Sequence, residues 1–143
     1  MTKYSLMLAG AILAAGMSTA SAETIKLVER ATTDAVTDTG ASGDSAGDIL
    51  TFANELYDAK NAKLVGSDNG WCIRTVPGKA WECTWIANLA MGQITVEGAF
   101  LDAGDSVLAI TGGTGKYATA RGEMKLHARD AKGSEYDFTY VVR

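Results

Sequence analysis

Few side chains in this sequence combine a reactive type with a suggestive setting, and Glu29 leads them. It shares strand parity with Ile25, Leu27 and Ala31. A carboxyl held among apolar groups has its pKa raised, which suits a general base working near neutral pH. The alternative is a strand-end carboxylate at a rim, solvated or paired with an arginine. Asn54 follows Leu50 and Phe52 at the same two-residue spacing, where an amide either orients a ligand oxygen or satisfies a buried backbone group. The one histidine, His127, shares a polar face with Glu123 and Lys125 and is expected to be exposed rather than catalytic.

The two cysteines can be placed by register. Val76-Pro77-Gly78-Lys79 has Pro and Gly in the two central positions a type II turn prefers. Such a turn sets Cys72 opposite Cys83 and Arg74 opposite Trp81, with Trp85 on the same face, so an arginine–aromatic contact is expected there. In an exported chain the default for Cys72 and Cys83 is a disulfide. Trp81, Trp85, Phe100, Phe138 and Tyr140 either line a ligand cavity or fill the core.

Other motifs fail on inspection. Thr111 to Ala118 is glycine-rich, but a phosphate-binding P-loop needs a glycine where Ile110 stands and a Ser or Thr where Tyr117 stands. Gly113-x-Gly115-x-x-Ala118 matches a dinucleotide pattern, yet Arg121-Gly122-Glu123-Met124 beyond it has strand periodicity, with no helix to receive a pyrophosphate. A turn between strands is the better reading. Thr33 to Asp48 is small, polar and acidic but lacks the ligand spacing of an EF-hand calcium loop. It reads as a long mobile loop, a candidate lid. One His and two Cys without chelating spacing provide no metal site, and no cofactor is expected.

The elements that must carry these residues are strands. Apolar and polar residues alternate along Ile25–Ala31, Leu50–Asn54, Ile94–Phe100, Met124–Ala128 and Tyr136–Val142. Glycine-containing turns separate them at the short spacing of all-β sandwiches and barrels, giving about eight strands. Only Phe52–Lys63 is ambiguous between helix and strand.

At 143 residues the chain is long enough for one ordinary domain and too short for two. A hydrophobic fraction of 47% with 21% charged residues supports a packed core. Thirteen basic against 17 acidic side chains leave a formal charge of -4, which gives no footprint for nucleic acid. Lys3, the uncharged run Leu6 to Met17 and Ala20-Ser21-Ala22 have the form of a signal peptide. The apolar run is shorter than the roughly 20 residues of a membrane span. The expected division is therefore a signal peptide at 1–22 and one barrel domain at 23–143, in the periplasm or secreted.

Taken in order, Gly47-Asp48-Ile49-Leu50-Thr51-Phe52-Ala53-Asn54-Glu55-Leu56-Tyr57-Asp58, Val65-Gly66, Gly70-x-Cys72, Gln93 to Gly98, Leu108 to Gly115 and Gly122-x-x-Lys125-Leu126 resemble plant allene oxide cyclases. Gly112 to Lys116 and Ala120-Arg121-Gly122 also resemble dirigent proteins. The resemblance implies a small closed antiparallel eight-stranded β-barrel, assembled as a homotrimer. Outer-face residues such as Val28 and Ile86, which a lone barrel would expose, are consistent with assembly. It also implies site residues: Glu29 as the base, Asn54 as the polar anchor and Cys72 in the cavity wall, as a free thiol in place of the disulfide. The family's cavity tyrosine falls on Phe100, and the Asn that comes two residues after the family's glutamate falls on Ala31.

Two functions are compatible with these residues. The first is an exported barrel that binds a hydrophobic small molecule and isomerises or cyclises it, with Glu29 as base and Asn54, Cys72, Arg74, Trp81, Trp85 and Phe100 about the ligand. The second is a non-catalytic, dirigent-like protein that binds or orients such a ligand.

Overall fold

A computed structural model describes residues 21–143. The signal peptide expected at 1–22 falls almost wholly outside them. The alternation of the sequence becomes ten strands, β1 (Glu23–Arg30), β2 (Ala35–Thr37), β3 (Ile49–Phe52), β4 (Glu55–Asp58), β5 (Leu64–Val76), β6 (Ala80–Leu89), β7 (Gly92–Leu101), β8 (Ser106–Gly113), β9 (Gly122–Ala128) and β10 (Glu135–Val142). One turn of 3-10 helix, Gly115–Tyr117, links β8 to β9.

Every pairing is antiparallel. The sheet runs β5-β4-β1-β10-β9-β8-β7-β6 and closes through β6 on β5. β3 and β4 lie end to end against β5, broken at Ala53-Asn54, and together make one stave. The result is a closed eight-stranded barrel with β2 as a short flap on β3. Because strands alternate in direction, the segments after β1, β5, β7 and β9 all gather at one rim.

Period two puts one set of side chains inside. Leu56, Ala87, Ile94, Val96, Leu108, Met124, Phe138 and Tyr140 form the packed interior. Trp85 lies across it, 5.9 Å between ring centroids from both Phe52 and Phe138. Gly70 pairs with Trp85 across β5 and β6. A Cβ at Gly70 would overlap Trp85 Cβ and the Thr84 carbonyl oxygen, so only glycine gives the indole its place. The Pro77-Gly78 turn forms with Lys79 N donating to Val76 O at 3.0 Å and Gly78 at φ 65°.

One ambiguity is resolved and two expectations change. Phe52–Lys63 is strand and turn: Asp58 Oδ1 accepts from the N–H groups of Lys60, Ala62 and Lys63, closing the β4–β5 connection. Thr33–Asp48 is not a free loop, because β2 pairs with β3 and buried Asp48 accepts from Thr39 N and Ser45 N at 3.0 and 2.8 Å. Those donors hold the Asp48 carboxyl below its usual range. Val28 is only 1% exposed in the single chain, flanked by Asp137 and Tyr57 on the neighbouring strands, so it offers no surface for assembly. His127 is exposed as expected, paired with Asp105 at 2.7 Å.

Candidate functional site

Glu29 sits near the loop-rich rim, where β1 carries it inward between Leu56 on β4 and Tyr136 on β10. It is 5% exposed and forms part of the wall of a cavity. The cavity is shallow and open, its roughly 350 Å³ of atom-free space including solvent at the mouth. Phe52, Trp85, Phe100, Tyr136 and Phe138 supply aromatic walls, Leu50, Leu126 and the two cysteines the rest, and Asp34 a second carboxyl.

Asn54 organises the polar side. The break between β3 and β4 turns its side chain inward, and it is 2% exposed. Its Nδ2 donates to Glu29 Oε1 and to Asp34 Oδ1, each at 2.8 Å. Its Oδ1 accepts from Thr32 N, Thr33 N and Thr33 Oγ1 at 3.0, 3.0 and 2.9 Å. Three N–H or O–H donors on one atom and two carboxylates on the other fix which end of the amide is oxygen. One side chain thus ties the segment after β1 to the candidate base.

Asp68, on β5, completes the group. It is 1% exposed and absent from the cavity wall, behind Glu29. Its Oδ1 accepts from Asn54 N at 3.2 Å, whereas its Oδ2 has no N–H donor. The Glu29 and Asp68 carboxyls each act on the other's affinity for a proton. Burial raises Glu29 well above the usual carboxylate range; Asp68 and Asp34 add to this, against the Asn54 hydrogen bond. Burial likewise pushes Asp68 up to about 7, with Glu29 and the Asn54 backbone N–H pulling the other way. The two titrate as a pair that retains a proton near neutrality. Tyr136, in the cavity, is pushed up to about 12 by burial and by the nearby Asp34 and Glu29 charges, so it stays a neutral phenol.

Of the residues read from the sequence, Glu29, Cys72, Trp85 and Phe100 meet at this cavity, with Asn54 directly behind. Cys72 and Cys83 are bonded to each other, Cα to Cα 4.0 Å, in the expected register, so the wall carries a disulfide and no free thiol. Arg74 and Trp81 depart from expectation: neither lines the cavity. Arg74 stacks on Trp81, its guanidinium carbon 4.0 Å from the ring centroid. Its Nε lies 2.6 Å from Asp44 and its Nη1 2.6 Å from Asp102. Two carboxylates at the rim therefore take the charge that a ligand would have met.

Asp34, Asp68 and Tyr136 were not singled out from the sequence. Asp68 had a signal, since the register that pairs Cys72 with Cys83 gives residues 68, 70, 72 and 74 one face. Phe100 packs edge-on against Tyr136, centroids 5.9 Å apart. The Tyr136 phenol, carried by β10, therefore lies beside position 100. Among the described residues no group of three or more His, Cys, Asp or Glu side chains is arranged to hold a metal ion.

The sequence model of the family described as allene oxide cyclase matches residues 21–130. Among solved structures, a pyocyanin demethylase superposes with a TM-score of 0.71 at 28% identity, over 82% of this chain and 100% of its own. AbnU, an exo-specific intermolecular Diels-Alderase, gives 0.69 at 15% identity over 86% of this chain and 98% of its own. The pterocarpan synthase dirigent protein PsPTS1 gives 0.66 at 13% over 85% and 93%. At 15% and 13% identity the last two share the fold alone.

Proposed function

From the premise that this chain belongs to the allene oxide cyclase family, we propose that it binds an apolar small molecule in the barrel and rearranges it by proton transfer at Glu29, as an isomerase or cyclase. The observation that carries this is a carboxyl in the cavity wall, 5% exposed, backed by a second carboxyl and met by no cation among the described residues. Read from sequence, Glu29 was a base. With Asp68 behind it, the protonated group gives its proton to a ligand oxygen or nitrogen, and the pair recovers one from a ligand C–H, so protons balance over the cycle. Tyr136 contributes a neutral hydroxyl on the same side. Asn54 is the polar anchor of the group, though through Glu29 and Asp34 rather than by reaching the cavity itself. The pyocyanin demethylase at 28% identity supports small-molecule chemistry on this barrel.

Export and trimeric assembly belong to the same reading. The cavity-wall disulfide suits an oxidising compartment, and exposed Trp71, Ile73 and Val76 on β5 offer an apolar face to further copies. N-terminal sequencing is expected to find Glu23, and light scattering a mass near three chains.

Glu29→Gln tests the chemistry. It keeps shape and hydrogen bonding but removes the titrating group, so turnover of a processed ligand should fall by roughly 10²-fold or more while binding persists. Parent-rate turnover in the Gln variant would turn the assignment to the non-catalytic, dirigent-like reading.

A further inference from the structure

The charge of the cavity is one-sided. Glu29 and Asp34 stand in its wall and Asp68 lies behind them, while among the described residues no Lys, Arg or His lines it. Nearby cations are already engaged. Arg74 is held by Asp44 and Asp102 over Trp81. Arg30, next to Glu29 in sequence, lies over the Tyr57 ring at 3.6 Å and donates to Asn61. The Asn54 amide, which is neutral, bridges the two wall carboxyls. The rings of Phe52, Trp85, Phe100 and Phe138 line the same cavity.

We propose that this cavity selects a flat aromatic organic cation and rejects carboxylate-bearing ligands. A carboxylate entering here would lose its hydration beside two carboxyl groups with no compensating charge, which is unfavourable for any acid ligand. A delocalised cation gains twice: from the exposed Asp34 with the buried Glu29–Asp68 pair, and from the surrounding aromatic rings, whose π-systems attract positive charge. An inorganic cation is a poor fit, since hard ions need six or more oxygen ligands and most of this wall is hydrocarbon. The inference rests on the proposed reading only in placing the ligand in this cavity, and holds whether or not the ligand is then transformed.

The test uses three probes that share one flat bicyclic ring and at about pH 8 are a cation, a neutral molecule and an anion: N-methylquinolinium, quinoline and quinoline-4-carboxylate. Calorimetry on the purified protein should find the cation bound at least about tenfold more tightly than quinoline, and the carboxylate not bound. Asp34→Asn should reduce the cation's advantage several-fold and leave quinoline unchanged. If that variant does not fold, the salt dependence of the unsubstituted protein serves: cation affinity should fall with ionic strength and quinoline affinity should not. Equal binding of quinoline and the cation, or preferential binding of the carboxylate, overturns the charge assignment and leaves the cavity reading standing. Failure of all three probes to bind overturns both.

Discussion

Asn54 Nδ2 lies 2.8 Å from Glu29 Oε1, and the same amide's oxygen takes three donors from Thr32 and Thr33. Position of the candidate acid and order of the segment after β1 therefore depend on one buried side chain. Asn54→Ala would strand those backbone N–H groups and leave Glu29 without its donor, a loss of about 2–4 kcal/mol. Urea denaturation measures it, and hydrogen exchange at Thr32 and Thr33 should accelerate in parallel. A loss under about 1 kcal/mol would show that water replaces the bridge.

Asp68 gives a pH prediction with a definite sign. Its folded pKa, about 7, is raised above the ordinary value of 3.8, and Glu29 is raised too. The folded state binds more protons than the unfolded state between those limits, so the pair's contribution is fully present below about pH 4 and is lost as pH rises towards and past 7. Asp68→Asn removes one carboxyl of the pair. Its melting temperature should exceed the parent's by several degrees at about pH 8 and not at about pH 4. A parallel offset at both values would mean that Asp68 ionises freely in the fold.

The Cys72–Cys83 bridge spans a sequence separation of 11, for which chain-entropy arguments give about 2–3 kcal/mol. Unfolded, unreduced protein should show no free thiol. Cys72→Ser/Cys83→Ser should lose about that much stability by chemical denaturation. Two thiols per chain would refute the bridge.

Arg74 joins Asp44, in the long segment between β2 and β3, to Asp102 between β7 and β8. Gly47 N also donates to Arg74 O at 2.9 Å, so Arg74→Ala removes the side-chain tie and keeps the backbone one. Limited proteolysis should cut the variant faster between positions 40 and 47, with the barrel intact by circular dichroism. Unchanged cleavage would assign the order of that segment to β2 and Asp48 instead.

Alternation was enough to read an all-β domain of about eight strands, and the resemblance to allene oxide cyclases added the closed barrel. Period two is a local property, because neighbouring side chains on a strand must face opposite ways whatever the partner strand is. Hence Leu27 and Glu29, Met124 and Leu126, and Phe138 and Tyr140 could be assigned to the interior before any pairing was known. The Pro77-Gly78 turn likewise carried its own register, and with it the Cys72–Cys83 bond and the Arg74–Trp81 stack. The character of the site lay beyond such local rules. Residues 29, 34, 54 and 68 converge only when β1 pairs with β4 and β4 with β5. A carboxyl's affinity for its proton depends on how much water and which charges remain around it after closure. That is why the sequence marked Glu29 and passed over Asp68. It is also why Arg74 was read as a ligand group: its inward parity was local, while Asp44 and Asp102 arrived from distant segments to neutralise it.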